Sequence, residues 1–215
     1  MAIRMQHLNG HLLCVVDTET TGLISGYHDV IQVCVLPLDS NIRPLVHDGI
    51  LPFVMKLKPK RPQNADPEAM KINKLSLADL IVNGFDPDSA ADLFDEWFNR
   101  LPLDGSGYNA KKIAPLGQNW VFDRGFMIDW LGPQTFNSYF HYETRDTKNA
   151  AAYINDRAAF HAEPCPLPKT KLSYLASTLN VPHEELKLHD ALQDCVVTAG
   201  VYRAMLTMPI PVLPR

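Results

Sequence analysis

After its first ten residues the chain runs apolar over residues 11–17 (HLLCVVD) and then breaks into Thr-Glu-Thr-Thr-Gly. An apolar run stopped by a turn signal predicts a buried strand. Residues 29–39 form a second run, apolar at Val30, Ile31, Val33, Cys34, Val35 and Leu36. Being apolar on both faces, it belongs inside a sheet. Residues 53–58 alternate Phe53, Met55 and Leu57 with Val54, Lys56 and Lys58, the pattern of a half-exposed strand. The links between these strands read as too short for a crossover helix, so antiparallel pairing is expected.

The period then becomes helical. Asp86 and Pro87 supply an N-cap and a first-turn proline, and Ala90, Leu93, Phe94, Trp97 and Leu101 follow as one apolar stripe. A fourth strand is expected at Ile113–Gly117, a helix over 122–131, a weaker strand over 141–146 and a helix over 150–160. Thr170 is expected to cap a helix carrying Leu172, Leu175 and Leu179. The last helix, Ala191–Leu206, is apolar nearly all round and should lie against the sheet. Three antiparallel strands followed by strands alternating with helices define an α/β class. One domain over residues 1–207 is expected. Residues 208–215 hold three prolines, cannot continue the helix, and read as an extended strap or loose end.

Composition adds bounds. With 215 residues, 46% hydrophobic and 20% charged, the chain can bury a substantial core. It contains no apolar run long enough to cross a bilayer, and its start does not read as a signal peptide, so a cytoplasmic protein is expected. The four cysteines, Cys14, Cys34, Cys165 and Cys195, are scattered, which suits buried free thiols better than disulfides or zinc. A net charge of −4 argues against coating long nucleic acid by bulk electrostatics. It leaves room for an enzyme that works on a strand end with a local basic rim.

Chemistry concentrates at three places. Asp17 and Glu19 stand two apart at a strand end, so their side chains share a face. Two such carboxylates repel and raise each other's pKa unless a cation lies between them, and hard oxygen ligands suit Mg²⁺ or Mn²⁺. By spacing alone the pair fits a polar strand-to-turn exit equally well. Asp123, taken alone, reads as a residue at a helix start. His189 and Asp194 stand five apart, ~500° of turn on an ideal helix, which leaves the side chains ~140° apart. Both can face one site only if His189 lies in the loop before the helix, with Asp190 as the N-cap.

The motifs are more specific. Val-Val-Asp17-Thr18-Glu19-Thr20-Thr21-Gly22-Leu23 resembles the first motif of the DEDDh (DnaQ-like) 3′–5′ exonuclease family. Gln118-Asn119-Trp-Val-Phe122-Asp123 is similar to the second, with Gln118 where the family commonly has His. His189-Asp190-Ala191-Leu192-Gln193-Asp194 is similar to the third. Weaker similarity at residues 67–74 and at Asp146-Thr147 extends the resemblance over nearly the whole chain.

The resemblance implies an RNase H-like mixed five-stranded sheet flanked by helices. It implies two divalent ions, Mg²⁺ or Mn²⁺, held by Asp17, Glu19, Asp123 and Asp194, with His189 as general base. Thr18, Thr20, Thr21, Gly22 and Leu23 would receive the 3′-terminal nucleotide, with Leu23 packing on its base, and Asn119 would contact the next one. The implied reaction is hydrolysis of the 3′-terminal phosphodiester of single-stranded DNA, releasing nucleoside 5′-monophosphates. Trimming of RNA, and a non-catalytic binding subunit that keeps the fold, are the alternatives. Partners implied are single-stranded 3′ ends and a polymerase or other replication or repair protein. The runs Lys56-Leu-Lys58-Pro-Lys60-Arg61, Lys111-Lys112 and Lys169/Lys171 are candidate tracks for the substrate backbone. A solvated strand exit is the plainer reading of such a run. Trp97, Phe98, Trp130 and Tyr202 read as core.

Overall fold

The strand that begins at Leu12 is paired on both edges, and the fold is built outward from it. In the computed structural model, which describes residues 11–103, 112–184 and 189–209, β1 (Leu12–Thr20) lies at the centre of a five-stranded sheet of order β3-β2-β1-β4-β5. β2 (Val30–Pro37) runs antiparallel to β1, and β3 (Phe53–Lys56) antiparallel to β2. β4 (Ile113–Gly117) runs parallel to β1 and β5 (Arg145–Asp146) parallel to β4. This is the mixed, RNase H-like sheet.

The helices are α1 (Pro67–Asn73), α2 (Leu77–Asn83), α3 (Pro87–Phe98), α4 (Trp120–Leu131), α5 (Pro133–Tyr139), α6 (Thr147–Phe160), α7 (Leu172–Thr178) and α8 (Ala191–Leu206). No helix among the described residues is long and apolar enough to cross a membrane.

Strand alternation sorts the core into two layers. Leu12, Cys14 and Val16 of β1 join Val33 and Val35 of β2 in a cluster with Phe94, Trp120, Phe126 and Phe140. Leu13 and Val15 point the other way, with Cys34 and Leu36, onto Ala191, Cys195 and Ala199 of α8. Each large apolar side chain so buried contributes roughly 1.5–3 kcal/mol. The same parity continues past the core: Asp17 and Glu19 follow Leu13 and Val15 toward α8, while Thr18 follows Val16 toward α4.

Several elements differ from the sequence expectation. α1, α2 and α5 carry no strong apolar stripe and are additions to it. The link 38–52 between β2 and β3 is longer than a hairpin and holds a 3-10 turn at Leu45–Asp48. The strand expected over 141–146 forms a ladder with β4 only at Arg145–Asp146, because upstream its contact with β4 is the single bridge Phe140 to Ile113 and residues 141–144 make no bridge between the two. Thr170 is not a cap. Lys171 occupies the N-cap position of α7 without a side-chain bond, and the Thr170 carbonyl accepts from Gln118 instead. α6 starts earlier than expected, at Thr147, because the Asp146 carboxylate caps it through the Lys148 and Asn149 amides. Cys14, Cys34 and Cys195 are buried, but Cys165 is exposed. Of residues 208–215, 210–215 lie outside the described residues, as does Lys111.

Phe53, Phe94, Trp97, Phe98 and Trp130 pack in one aromatic group, and Tyr202 is buried in the α8 layer. The core reading of these rings describes where they sit.

Candidate active site

Three segments distant in sequence reach one cleft of about 570 Å³, lined by Asp17, Thr18, Glu19, Gln118, Asn119, Asp123, His189 and Asp194 among others. β1 delivers the first carboxylates at its C-terminal end. The second segment is the turn from β4 into α4. Asn119 there takes a left-handed conformation, φ 75°, which asparagine tolerates better than most residues. α4 then starts at Trp120, whose amide donates to Asp146 Oδ2 at 2.6 Å, and Asp123 falls in its first turn.

The third segment is the entry to α8. His189 sits at φ 69°, outside the helix, and Asp190 follows as the N-cap, accepting from the Gln193 amide at 3.3 Å. The left-handed turn lets His189 and Asp194 face the same side despite their five-residue spacing. Gln32, 3% exposed within the apolar β2, holds this turn from beneath. Its Nε2 donates to Asp190 Oδ2 at 3.1 Å, and its Oε1 accepts from the Ala191 amide at 3.4 Å.

Asp123 is 3% exposed, and its Oδ1 accepts from both the amide and the hydroxyl of Thr18, at 3.0 and 2.8 Å. Asp194 Oδ2 accepts from the His189 amide at 3.3 Å, while its buried Oδ1 has no partner. A ligand atom from each of Glu19, His189 and Asp194 lies within 4.8 Å of the others. Asp17 and Asp123 line the same cleft outside that tighter group.

The electrostatics are those of a site short of positive charge. Burial, reinforced by Asp123, Asp194 and Glu19, pushes Asp17 well above the usual carboxylate range. Burial and then Asp194 and Asp123 raise Glu19 to about 8. Burial raises Asp123 to about 7 against the Thr18 hydrogen bonds that oppose it. Asp194 rises to about 6 through burial, opposed by the His189 amide. Burial lowers the His189 pKa, and Lys74 and Lys171 lower it further. Four crowded carboxylates, one with an orphaned buried oxygen, have the donor chemistry that Mg²⁺ or Mn²⁺ takes. The residues therefore fit divalent metal.

The turn after β1 has a different character. The Thr20 hydroxyl donates to the Gly22 carbonyl at 2.6 Å, and Thr21 Oγ1 accepts from the Asp29 amide at 2.9 Å. Both hydroxyls build the turn. Gly22 is required there, since a Cβ would fall 2.2 Å from the His28 ring. Leu23 stands out into solvent, 76% exposed.

Two of the four basic residues in the run at residues 56–61 are paired within the fold. Arg61 binds Asp29 Oδ1 at 2.8 Å and Asp129 Oδ2 at 2.5 Å, and Lys60 binds Asp88 at 2.8 Å. The lysines that do line the cleft are Lys148 and Lys171. The sequence holds no signal for Lys148 beyond its place after Asp146-Thr147, and sequence reasoning missed it. A smaller, more apolar cavity of about 360 Å³ lies between α6 and α8 and shares no lining residue with this cleft.

Known proteins place this geometry. Residues 14–202 match the family model RNase_T, described as Exonuclease. The chain is 28% identical over 191 residues to the 3′-5′ DNA exonuclease Cap18 of Escherichia coli, covering 87% of this chain and 88% of that protein. Among solved structures, zinc-bound exonuclease I of E. coli in complex with single-stranded DNA superposes with a TM-score of 0.66 at 20% identity over 92% of this chain. Exonuclease I of Methylocaldum szegediense gives 0.67 at 17% identity over 90%. The chain spans only about 40% of the length of those two exonuclease I chains. With an RNase H-like sheet and a family match running from β1 into α8, the chain belongs to the exonuclease family, in its DnaQ-like 3′–5′ group.

Proposed function

We propose that this chain hydrolyses the 3′-terminal phosphodiester of single-stranded DNA, releasing nucleoside 5′-monophosphates, with two divalent ions held by Asp17, Glu19, Asp123 and Asp194 and with His189 as general base. The observation that carries this reading is the convergence of those five side chains on one cleft, with the buried Asp194 Oδ1 lacking any partner. DNA as substrate is supported by the likeness to Cap18, named a DNA exonuclease.

When bound, two Mg²⁺ or Mn²⁺ ions supply Lewis-acid stabilisation of the attacking and leaving oxygens of an in-line displacement. The chain's own residues do the rest. Thr18 orients Asp123 by two donors on one oxygen. The Asp190 cap, braced by Gln32, holds His189 outside the helix and beside Glu19 and Asp194. His189 is neutral at pH 7 because burial lowers its pKa, so its imidazole takes a proton from the attacking water. Leu23 offers an exposed apolar face to the terminal base, and Asn119 lines the cleft on the side of the next nucleotide.

The test uses 5′-labelled single-stranded DNA and RNA of equal sequence with Mg²⁺, Mn²⁺ or EDTA. The expected result is a metal-dependent ladder shortening from the 3′ end, faster on DNA and lost in Asp17→Ala and His189→Ala. Failure to cut either polymer with either metal overturns the reading and leaves a binding subunit in its place.

A further inference from the structure

Gln118 ties together two segments that each place a lysine on the cleft. Its Nε2 donates to the Thr170 carbonyl at 2.6 Å, and its Oε1 accepts from the Thr147 hydroxyl. That hydroxyl also reaches the Gly117 carbonyl, at 3.3 Å. The next residue after each tethered threonine, Lys148 and Lys171, lines the cleft. The second segment is anchored on either side, by Asn155 bonding Leu167 and by Leu172 in the core, and the tether fixes the stretch between them. Lys171 precedes α7 with no side-chain cap bond, and Thr170 is held to the β4 exit through Gln118.

We infer that Lys148 and Lys171 bind the phosphodiester backbone of the strand behind its terminal nucleotide, and that Gln118 is the positioning residue that sets both. This rests on the proposed action at a 3′ end.

Three observations carry it. The same cleft is lined by Asp17, Glu19, Asp123 and Asp194, so a polyanion entering it needs cations to offset them. Among the described residues neither lysine is in a salt bridge, whereas Lys60 and Arg61 of the densest basic run both are. The net charge of −4 leaves phosphate binding to local cations rather than to the overall field. Two lysines on a tethered wall are a contact for backbone phosphate, made as point charges.

The test measures binding of a single-stranded DNA oligomer by fluorescence anisotropy as a function of salt, in Ca²⁺, beside the rate of 3′ trimming in Mg²⁺. Removing one lysine–phosphate pair should lower the slope of log K against log salt by about 0.7. Lys148→Ala and Lys171→Ala should each show about that reduction and raise KM for the oligomer by roughly tenfold. Gln118→Ala should reduce the slope more than either alone, and Gln118→His, which keeps a donor and an acceptor, should recover most of it at about pH 8. Lys60→Ala serves as the control and should keep the wild-type slope. Wild-type slopes in Lys148→Ala and Lys171→Ala, with trimming intact in the parent, overturn the inference alone. A slope reduced in both lysine variants but kept in Gln118→Ala overturns the positioning role. Absence of trimming in the wild type removes the parent reading and this one with it.

Discussion

Thr18 donates both its amide and its hydroxyl to the same oxygen of Asp123, at 3.0 and 2.8 Å. The strand that carries two of the carboxylates therefore also orients the third. Because Thr18 faces α4 while Asp17 and Glu19 face α8, a single strand end addresses both sides of the cleft. Thr18→Val keeps the β-branched shape and the amide bond but removes the hydroxyl. Loss of a hydrogen bond that orients a metal-holding group typically costs ten- to a hundredfold. A loss of that size is expected in the concentration of Mn²⁺ needed for half-maximal activity, with a small change in melting temperature. An unchanged metal requirement would falsify the orienting role.

The raised carboxylates make the metal-free protein sensitive to alkali. A carboxyl group whose pKa is higher folded than unfolded stabilises the fold below the unfolded pKa, and that contribution is lost as pH rises through the folded value. Here the folded values are about 6 for Asp194, about 7 for Asp123 and about 8 for Glu19. The melting temperature in EDTA should therefore fall from about pH 4, where the unfolded carboxyls ionise, up to about pH 8, the highest of the folded values, and millimolar Mg²⁺ or Mn²⁺ should remove most of the fall.

Asp123→Asn separates charge from shape. The amide oxygen still accepts from Thr18, while the buried negative charge is gone. At ~1.4 kcal/mol per pKa unit and a rise from 3.8 to about 7, the metal-free variant should gain up to ~4 kcal/mol at about pH 8 and lose nearly all nuclease activity. Chemical denaturation with and without metal reads both effects; a variant less stable than the parent in EDTA at that pH contradicts the electrostatic account.

With metal saturating, the acid limb of kcat should report His189. Burial, then Lys74 and Lys171, lower its pKa, so the neutral form persists and the limb should fall below the ordinary imidazole value of ~6.5. At limiting metal the limb should move to higher pH, because protons then compete for Glu19 and Asp123. His189→Asn should lose ~10²- to 10⁴-fold in kcat together with the limb. A limb that survives the substitution assigns the titration elsewhere.

Arg61 offers a contrast between structural and substrate-facing cations. It bonds Asp29, whose side chain is only 6% exposed, and Asp129. Arg61→Met leaves Asp29 buried without its cation. The expected loss is about 2–3 kcal/mol, below the ~3–5 for breaking a fully buried pair, because Arg61 itself is 28% exposed. The salt dependence of DNA binding should stay at the wild-type value. A changed slope would return residues 56–61 to the substrate track.

The sequence by itself determined the first three strands and their antiparallel pairing through local pattern, and the mixed sheet and most of the candidate chemistry through the resemblance of its motifs. Period-2 alternation and apolar runs mark β1, β2 and β3. Capping residues mark α3, and the spacing of His189 and Asp194 already requires a loop before α8, which the left-handed φ of His189 provides. Asp17, Glu19 and Asp123 stand out through motif wording as much as through physics. Helices α1, α2 and α5 are seven residues each and bury one residue apiece, so no apolar stripe declares them, although Asp66 and Ser76 cap the first two locally. Tertiary structure alone decided which cations face the cleft. Arg61 and Lys60 are open to a substrate-track reading in sequence, yet Asp29, Asp129 and Asp88 reach them from elsewhere in the chain. Lys171 stands in sequence as one candidate among several and Lys148 not at all, until Gln118 joins the segments before them. Charge pairing and side-chain tethers act between residues close in space, and a linear pattern carries no record of that distance.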